Sequence, residues 1–288
     1  MARGRRTVGI EVAATAVRVA EVAGTARDGS AVLSRSAVVP LNEGDVTQGR
    51  IRRPAEVGFA IQRAVKEAGV RPYGAILGFS GPSAIAKRSL PSGLPASAHD
   101  QAIRQAGPLS SSLELAESVL GLNQLRSYTD EEGNKQTEYL VSAVHHEELA
   151  KLLKACSAAK VEPRAIDLVS AAAMRAYLRV EEGDQRIETL VDIGETRTLV
   201  ITREGLDIRS VQNISRGGIE LTNAFAGALD IDLEAARERK HGYRISDSYI
   251  ANSDALRTGY GSSSADVEVN RNDVLKQAAD DVTNDFLS

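Results

Sequence analysis

Leu190-Val191-Asp192-Ile193-Gly194-Glu195-Thr196-Arg197-Thr198-Leu199-Val200 repeats, far along the chain, the pattern of Gly9-Ile10-Glu11-Val12-Ala13-Ala14-Thr15-Ala16-Val17-Arg18-Val19. Each reads as an apolar strand, a tight turn and a returning strand, with an acidic residue, Asp192 or Glu11, near the end of the first strand. A turn of small or hydroxyl residues leaves backbone N–H groups pointing outward, and such a concave set of donors suits a phosphate. A carboxylate beside it suits the magnesium that accompanies one. The same device found twice predicts an internally duplicated protein with a polyphosphate held between two halves.

Working outward from the first copy, alternation over Thr7 to Val22 gives a hairpin, and Ala31 to Val39 keeps the period of a third strand. Apolar residues at Val57, Ala60, Ile61, Ala64, Val65 and Ala68 predict a helix over Pro54 to Ala68, closed by Gly69. Ala75 to Phe79 is a buried strand that ends in Ser80-Gly81-Pro82, completing a β-β-β-α-β order. Around the second copy the β-β pattern restarts at Ile187, with Gly205 turning the chain into a third strand at Ile208 to Asn213. Ser215-Arg216-Gly217-Gly218 opens a long helix, and a second helix crosses Leu233 to Lys240. Tyr260 to Ser264 reads as a linker. Asp273 to Leu287 has helical spacing and stops without a capping residue, so the second half reads as truncated.

Between the copies the texture changes, and residues 84–168 read as an inserted α+β module. It comprises a strand exit at Leu90 to Pro95, a helix near Ala98 to Gln105, a loop over Pro108 to Ser112 and a strand at Tyr139 to Val144. An amphipathic helix over His146 to Ala159 and a short strand at Ala165 to Leu168 close it, with Gly133 and Asn134 marking a hairpin tip. A helix over Ala171 to Leu178 then lies in a return segment. The chain thus divides into residues 1–83, the insertion 84–168, the return 169–186 and the second half 187–288.

Composition narrows the function classes. With 42% hydrophobic and 26% charged residues the chain forms a packed core rather than a disordered coil. A net charge of -4 with dispersed basic residues argues against nucleic acid as a partner. The single cysteine, Cys156, closes no intramolecular disulfide and reads as a small buried hydrophobe. Arg3, Arg5 and Arg6 are not followed by the apolar run of a signal peptide, and no window approaches the roughly 18 apolar residues of a spanning helix. The expectation is a cytoplasmic protein without direct membrane insertion, held at a membrane only through a partner. In His145-His146-Glu147-Glu148, at a strand-to-helix junction, adjacent side chains diverge and the acids suit a first helical turn, which argues against a metal site. Ser110 to Ser112 and Ser262 to Ser264 read as solvated loops.

With the two hairpins, the insertion and the glycine pair in order, the chain resembles the actin-like ATPase superfamily, a duplicated ribonuclease H-like α/β fold, and within it the PilM family. That family carries a first motif Gly-Leu-(Asp/Glu)-Ile-Gly-Ser-x-x-(Val/Leu)-Lys, followed in outline by Gly9 to Arg18, and a second, (Val/Leu)-Asp-Ile-Gly-x-x-x-Thr, followed by Val191 to Thr198. Its Gly-Gly helix start matches Gly217-Gly218, and its Ala-Glu-Glu-x-Lys helix resembles Ala235 to Gly242. The Val161-Glu162-Pro163 strand start after a helix, and the place of the insertion, favour PilM over sugar kinases.

The resemblance implies ATP with Mg2+ as ligand. Glu11 and Asp192 would orient the magnesium, the turn amides of Ala13, Ala14, Thr15, Gly194, Glu195 and Thr196 would hold phosphates, and Arg18 would take the place of the family's Lys. Gly217 and Gly218 would add helix N-terminal amides, with close packing as their other reading. Lys240 would approach the nucleoside, and Arg237 stands where the family has Glu. Ala13 replaces a family Gly, and its Cβ resists positive φ and crowds a phosphate. The implied function is an assembly protein, at most a slow ATPase, that docks the N-terminal tail of a PilN-like membrane protein, with self-association open. Ile85, Leu90 and Leu94 are candidates for the peptide groove. Two alternatives stand beside it. One is a sugar-kinase-branch phosphotransferase, for which no carboxylate base follows the strand at Ile76 to Ser80. The other is an FtsA-like membrane-tethered filament protein.

Overall fold

A computed structural model describes residues 6–24, 31–109, 113–177, 186–205 and 207–242. The expected solvated loops at 110–112 and 262–264, the linker at 260–264 and the helix at 273–287 lie outside them. The chain divides into two compact units, one of Met1–Asp192 with Leu199–Ile214, the other of Ile193–Thr198 with Ser215–Ser288.

In the first unit β1 (Arg6–Val12) and β2 (Ala16–Ala23) form the first-copy hairpin, and β3 (Val32–Pro40) pairs antiparallel with β2. Alternation does the sorting: Val8, Ile10 and Val12 on β1 and Val17 and Val19 on β2 are buried. A short ladder, β4 (Val46–Thr47) with β5 (Arg50–Ile51), precedes α1 (Pro54–Ala68). Pro54 starts that helix with a φ already suited to it, Glu56 and Lys66 oppose the helix dipole, and Gly69 ends it at φ 63°. Strand β6 (Ala75–Phe79) then pairs parallel with β1.

Next come β7 (Ser83–Pro91), α2 (Ala96–Gln105), β8 (Ser118–Thr129) and β9 (Lys135–His145). They build a separate antiparallel sheet in the order β7-β9-β8, with its own small core around Leu90, Ile103 and Val141. The chain returns through α3 (His146–Ala158), β10 (Pro163–Leu168) and α4 (Val169–Tyr177). Strand β10 pairs parallel with β6, giving the order β10-β6-β1-β2-β3, which is the ribonuclease H-like sheet of the actin-like fold.

Helix α3 packs on α1, and Leu152, Ala155 and Cys156 join the core formed by Ile10, Leu77, Val57 and Ile61. Helix α3 and β10, which sequence reading placed with residues 84–168, contribute to the first sheet's layer and core, while β7, β8 and β9 form a sheet of their own whose Ile85, Leu140 and Val144 reach that same core. At the head of α3, His145 accepts from the N–H of Glu147 as an N-cap. The His145 and His146 rings stack at 5.0 Å rather than diverge, because both are held by Glu117, one on its carboxylate and one on its carbonyl.

The second copy follows as β11 (Ile187–Ile193), β12 (Thr198–Glu204) and β13 (Asp207–Ile214), a three-stranded sheet in that order. Ile208 and Val211 of β13 belong to the first unit's core. The second unit holds α5 (Gly218–Leu229) and α6 (Leu233–Gly242), packed together around the fully buried Phe225 and Ala236.

Candidate functional site

The first-copy turn sits in the first unit. The β1–β2 register sets Glu11 opposite Arg18, and the β1–β6 register sets it beside Gly78. One carboxylate oxygen accepts from Ser80 Oγ at 2.7 Å and the other from Arg18 Nη1 at 3.3 Å. Gly78 sits in close approach here, since a Cβ on it would lie 3.0 Å from Val169 Cγ2, which would have to shift by a few tenths of an ångström, and 3.5 Å from Glu11 Cβ.

The turn itself is closed by Ala13 N–H donating to the Ala16 carbonyl at 2.9 Å, while the Thr15 carbonyl accepts from Leu41 N–H. Ala13, Ala14 and Thr15 all keep negative φ. The expectation that Ala13 strains a turn built for glycine is therefore corrected: the backbone takes a route on which alanine costs nothing. Arg18, expected to reach back toward a phosphate, pairs with Glu11, as cross-strand partners of opposite charge do.

The second-copy turn, Gly194 to Arg197, lies in the second unit and follows Asp192, whose side chain is exposed at the end of β11. Gly194 N–H donates to the Arg197 carbonyl at 2.9 Å. The head of α5 is then laid onto this turn: Gly218 N–H donates to the Gly194 carbonyl and Ile219 N–H to the Glu195 carbonyl, both at 2.8 Å. Gly217 N–H donates to the Glu220 carboxylate at 2.8 Å. The helix-start amides expected to face an anion are thus engaged inside the unit.

Gly217 makes this contact possible, because a Cβ there would lie 2.4 Å from the Gly194 carbonyl oxygen and 2.8 Å from Arg197 N. Its glycine is needed for approach, not for φ, which is -164°. Close packing, one of the two readings of the glycine pair, is met by this geometry at Gly217. Thr198, fully buried, donates to the Arg216 carbonyl at 3.0 Å and pins the same junction. The terminal Thr of the second motif was the signal for it, though sequence reading gave it no role.

Arg237 and Lys240 both reach Glu195: Arg237 Nη2 stands 3.4 Å from Oε1 and Lys240 Nζ 3.6 Å from Oε2. Lys240 also donates to the Gly218 carbonyl at 3.0 Å, and Arg237 to Glu234 at 3.0 Å. Sequence reading used only the backbone of Glu195; its side chain is the centre of the cluster. Ile85 and Leu90, expected in a peptide groove, are buried in the two cores, and Leu94 is half-buried against the smaller one.

Among the described residues no group of three His, Cys, Asp or Glu side chains gathers to hold a metal ion. A magnesium with one or two carboxylates would take its remaining ligands from phosphate and water, which this donor set allows. Among the described residues, too, no helix is long and apolar enough to cross a membrane.

Comparison with curated proteins gives no match. Among solved structures, the chain is similar to one described as a PilM-PilN type IV pilus biogenesis complex, with a TM-score of 0.72 and 21% identity over 97% of this chain and 75% of that one. It is also similar to ethanolamine utilization protein EutJ from Carboxydothermus hydrogenoformans, with a TM-score of 0.47 and 14% identity over 88% of this chain and 65% of the other. The family described as Type IV pilus assembly protein PilM matches residues 9–256, and the chain belongs to that family.

Proposed function

We propose that the protein is an actin-like component of type IV pilus assembly that binds ATP with magnesium weakly and docks the N-terminal cytoplasmic tail of a PilN-like inner-membrane protein. That partner would hold it at the membrane surface. The observation that carries the nucleotide half is the unequal state of the two acids. Asp192 is exposed beside a glycine turn, whereas Glu11 is bonded to Ser80 and neutralised by Arg18. A magnesium–phosphate group would find one carboxylate available and would have to share the other, which lowers affinity. When bound, magnesium screens the phosphate charge and orders the polyphosphate; hydrolysis would be slow at most.

The docking half is supported by membership of the type IV pilus assembly protein PilM family and by the similar structure, a PilM-PilN complex. The antiparallel module of β7, α2, β8 and β9 supplies a second surface beside the first sheet's layer, and residues 84–168 and 187–288 are proposed as the functional divisions that flank the return. Calorimetry with a synthetic PilN-like tail tests docking, and a tail that gives no heat at high concentration overturns it. The same experiment with ATP and magnesium, on the wild type and Asp192→Ala, tests the site. Weak magnesium-dependent binding that the variant loses is expected, and equal binding by both proteins, or none by the wild type, refutes the assignment.

A further inference from the structure

We infer that Glu195 is the internal occupant of an anion cradle: its carboxylate takes the place of a phosphate between Arg237 and Lys240, and a polyphosphate enters only by displacing it. The inference rests on the nucleotide reading above and names what limits it. Backbone bonding fixes Glu195 at the first turn of α5, since its carbonyl accepts from Ile219 N–H. The side chain then lies over the start of that helix, with Oε2 at 3.7 Å from where a Cβ on Gly218 would be. The positive end of α5 and two cations converge on that position, an arrangement suited to negative charge.

The contacts are long for charge-assisted bonds, at 3.4 and 3.6 Å against about 2.7–2.9 Å for a tight pair. Among the described residues, the buried Arg237 Nε has no hydrogen-bond partner. A single carboxylate therefore leaves donors of this cluster unsatisfied, and a phosphate, with more acceptor oxygens, would satisfy them better. What keeps it out is charge. Glu195 and Glu234 balance Arg237 and Lys240, so an incoming polyanion meets a neutral cluster and must push a carboxylate aside.

Glu195→Gln keeps the shape and removes the charge. Calorimetry with inorganic pyrophosphate, ADP and ATP on the variant is expected to show binding tightened about tenfold, which is about 1.4 kcal/mol. Adding Lys240→Met to it should return the gain. A gain with pyrophosphate as well as nucleotides assigns the cradle to phosphate groups of any source; a gain with nucleotides alone assigns it to theirs. If the wild type binds nucleotide and Glu195→Gln binds it no tighter, the inference falls and the nucleotide reading stands. If neither protein binds any of the three ligands, both fall. Glu195→Ser replaces the glutamine variant should that one melt early, with the same expected gain and the same refutation.

Discussion

Gly58→Ala sets two effects of known sign against each other. In the interior of α1 an alanine raises helix stability by about 1 kcal/mol, because glycine loses more backbone freedom on folding. At this position, however, a Cβ would lie 2.6 Å from Ala158 Cβ and 2.8 Å from the Ala155 carbonyl oxygen, both on α3, and 3.4 Å from N of Ala159, the residue that caps it. Carbon atoms rest at about 3.5–4.0 Å, so the two helices would have to part by about 1 Å. The carbonyl cannot rotate out of the way, and the parting is felt along the whole seam of Val57, Ile61, Leu152, Ala155 and Cys156. Overpacking of that kind costs about 1–3 kcal/mol, and two contacts this short place it near the upper end. The net expectation is a loss of about 2 kcal/mol.

The assay is native-state hydrogen exchange at the amides of α1 and α3, supported by urea unfolding in which the midpoint falls at constant slope. Gly227→Ala is the control: it sits in α5, exposed, with nothing within 4 Å of an added Cβ, and should gain up to about 1 kcal/mol. Ala158→Gly on top of Gly58→Ala removes the shortest contact but not the carbonyl, so it should recover only part of the loss, and the two changes should be non-additive. A Gly58→Ala protein with greater protection than the wild type would refute the packing argument.

Burial pushes the Cys156 thiol up to about 11 from an ordinary 9.0, so native protein should resist iodoacetamide at pH 8 and react fully once unfolded. The unfolded thiol ionises first, so stability falls as pH rises between about 9 and 11, and Cys156→Ala should flatten that alkaline slope; an unchanged slope contradicts the assignment. Asp45 is 1% exposed, accepts from Asn42 N–H at 2.9 Å and meets Arg53 Nε at 2.9 Å. Asp45→Ala should cost about 1–3 kcal/mol by leaving the Asn42 N–H without its acceptor, read as a lower Tm, and an unchanged Tm would show that the loop is not anchored there.

The helix at Pro54–Ala68 was legible to its last residue because every local signal agreed: proline at the start, a continuous apolar stripe and a left-handed glycine at the end. Strand β8 was not. A bulge between Gln124 and Arg126 shifts its pairing with β9 by one residue, so the alternation that marks a strand changes phase in the middle. The packing partner of α3 was hidden for a different reason. Nothing in the amphipathic stripe of α3 says which core it faces; that is decided by Gly58, a residue about a hundred positions earlier, which lets α3 approach α1. The two hairpin turns were found by their pattern, but where the amides of the second one donate, and that the Glu195 side chain gathers two cations, depends on α5 and α6 folding back on the turn.

The two copies of the hairpin differ in what their glycine positions do. In the first copy alanine stands at the family's glycine position, and the turn closes at negative φ with an ordinary hydrogen bond, so the substitution did not cost the fold anything. In the second copy Gly194 is kept without a positive φ, and it is Gly217 that a side chain could not replace, because the helix head lies directly on the turn. Glycine thus stands where backbone meets backbone, and alanine where a turn merely has to close. That division separates two demands that the proposed phosphate binding would place on these turns. The architectural one, a turn seated on a helix start, is met in the second unit by hydrogen bonds from Gly218 and Ile219. The chemical one, donors and carboxylates left over for a ligand, is reduced in each copy by the protein's own charges, Arg18 on Glu11 and Glu195 on Arg237 and Lys240. On the function proposed above, a fold that keeps the first demand and relaxes the second would suit a docking scaffold, since packing between backbone segments would hold such a surface in shape.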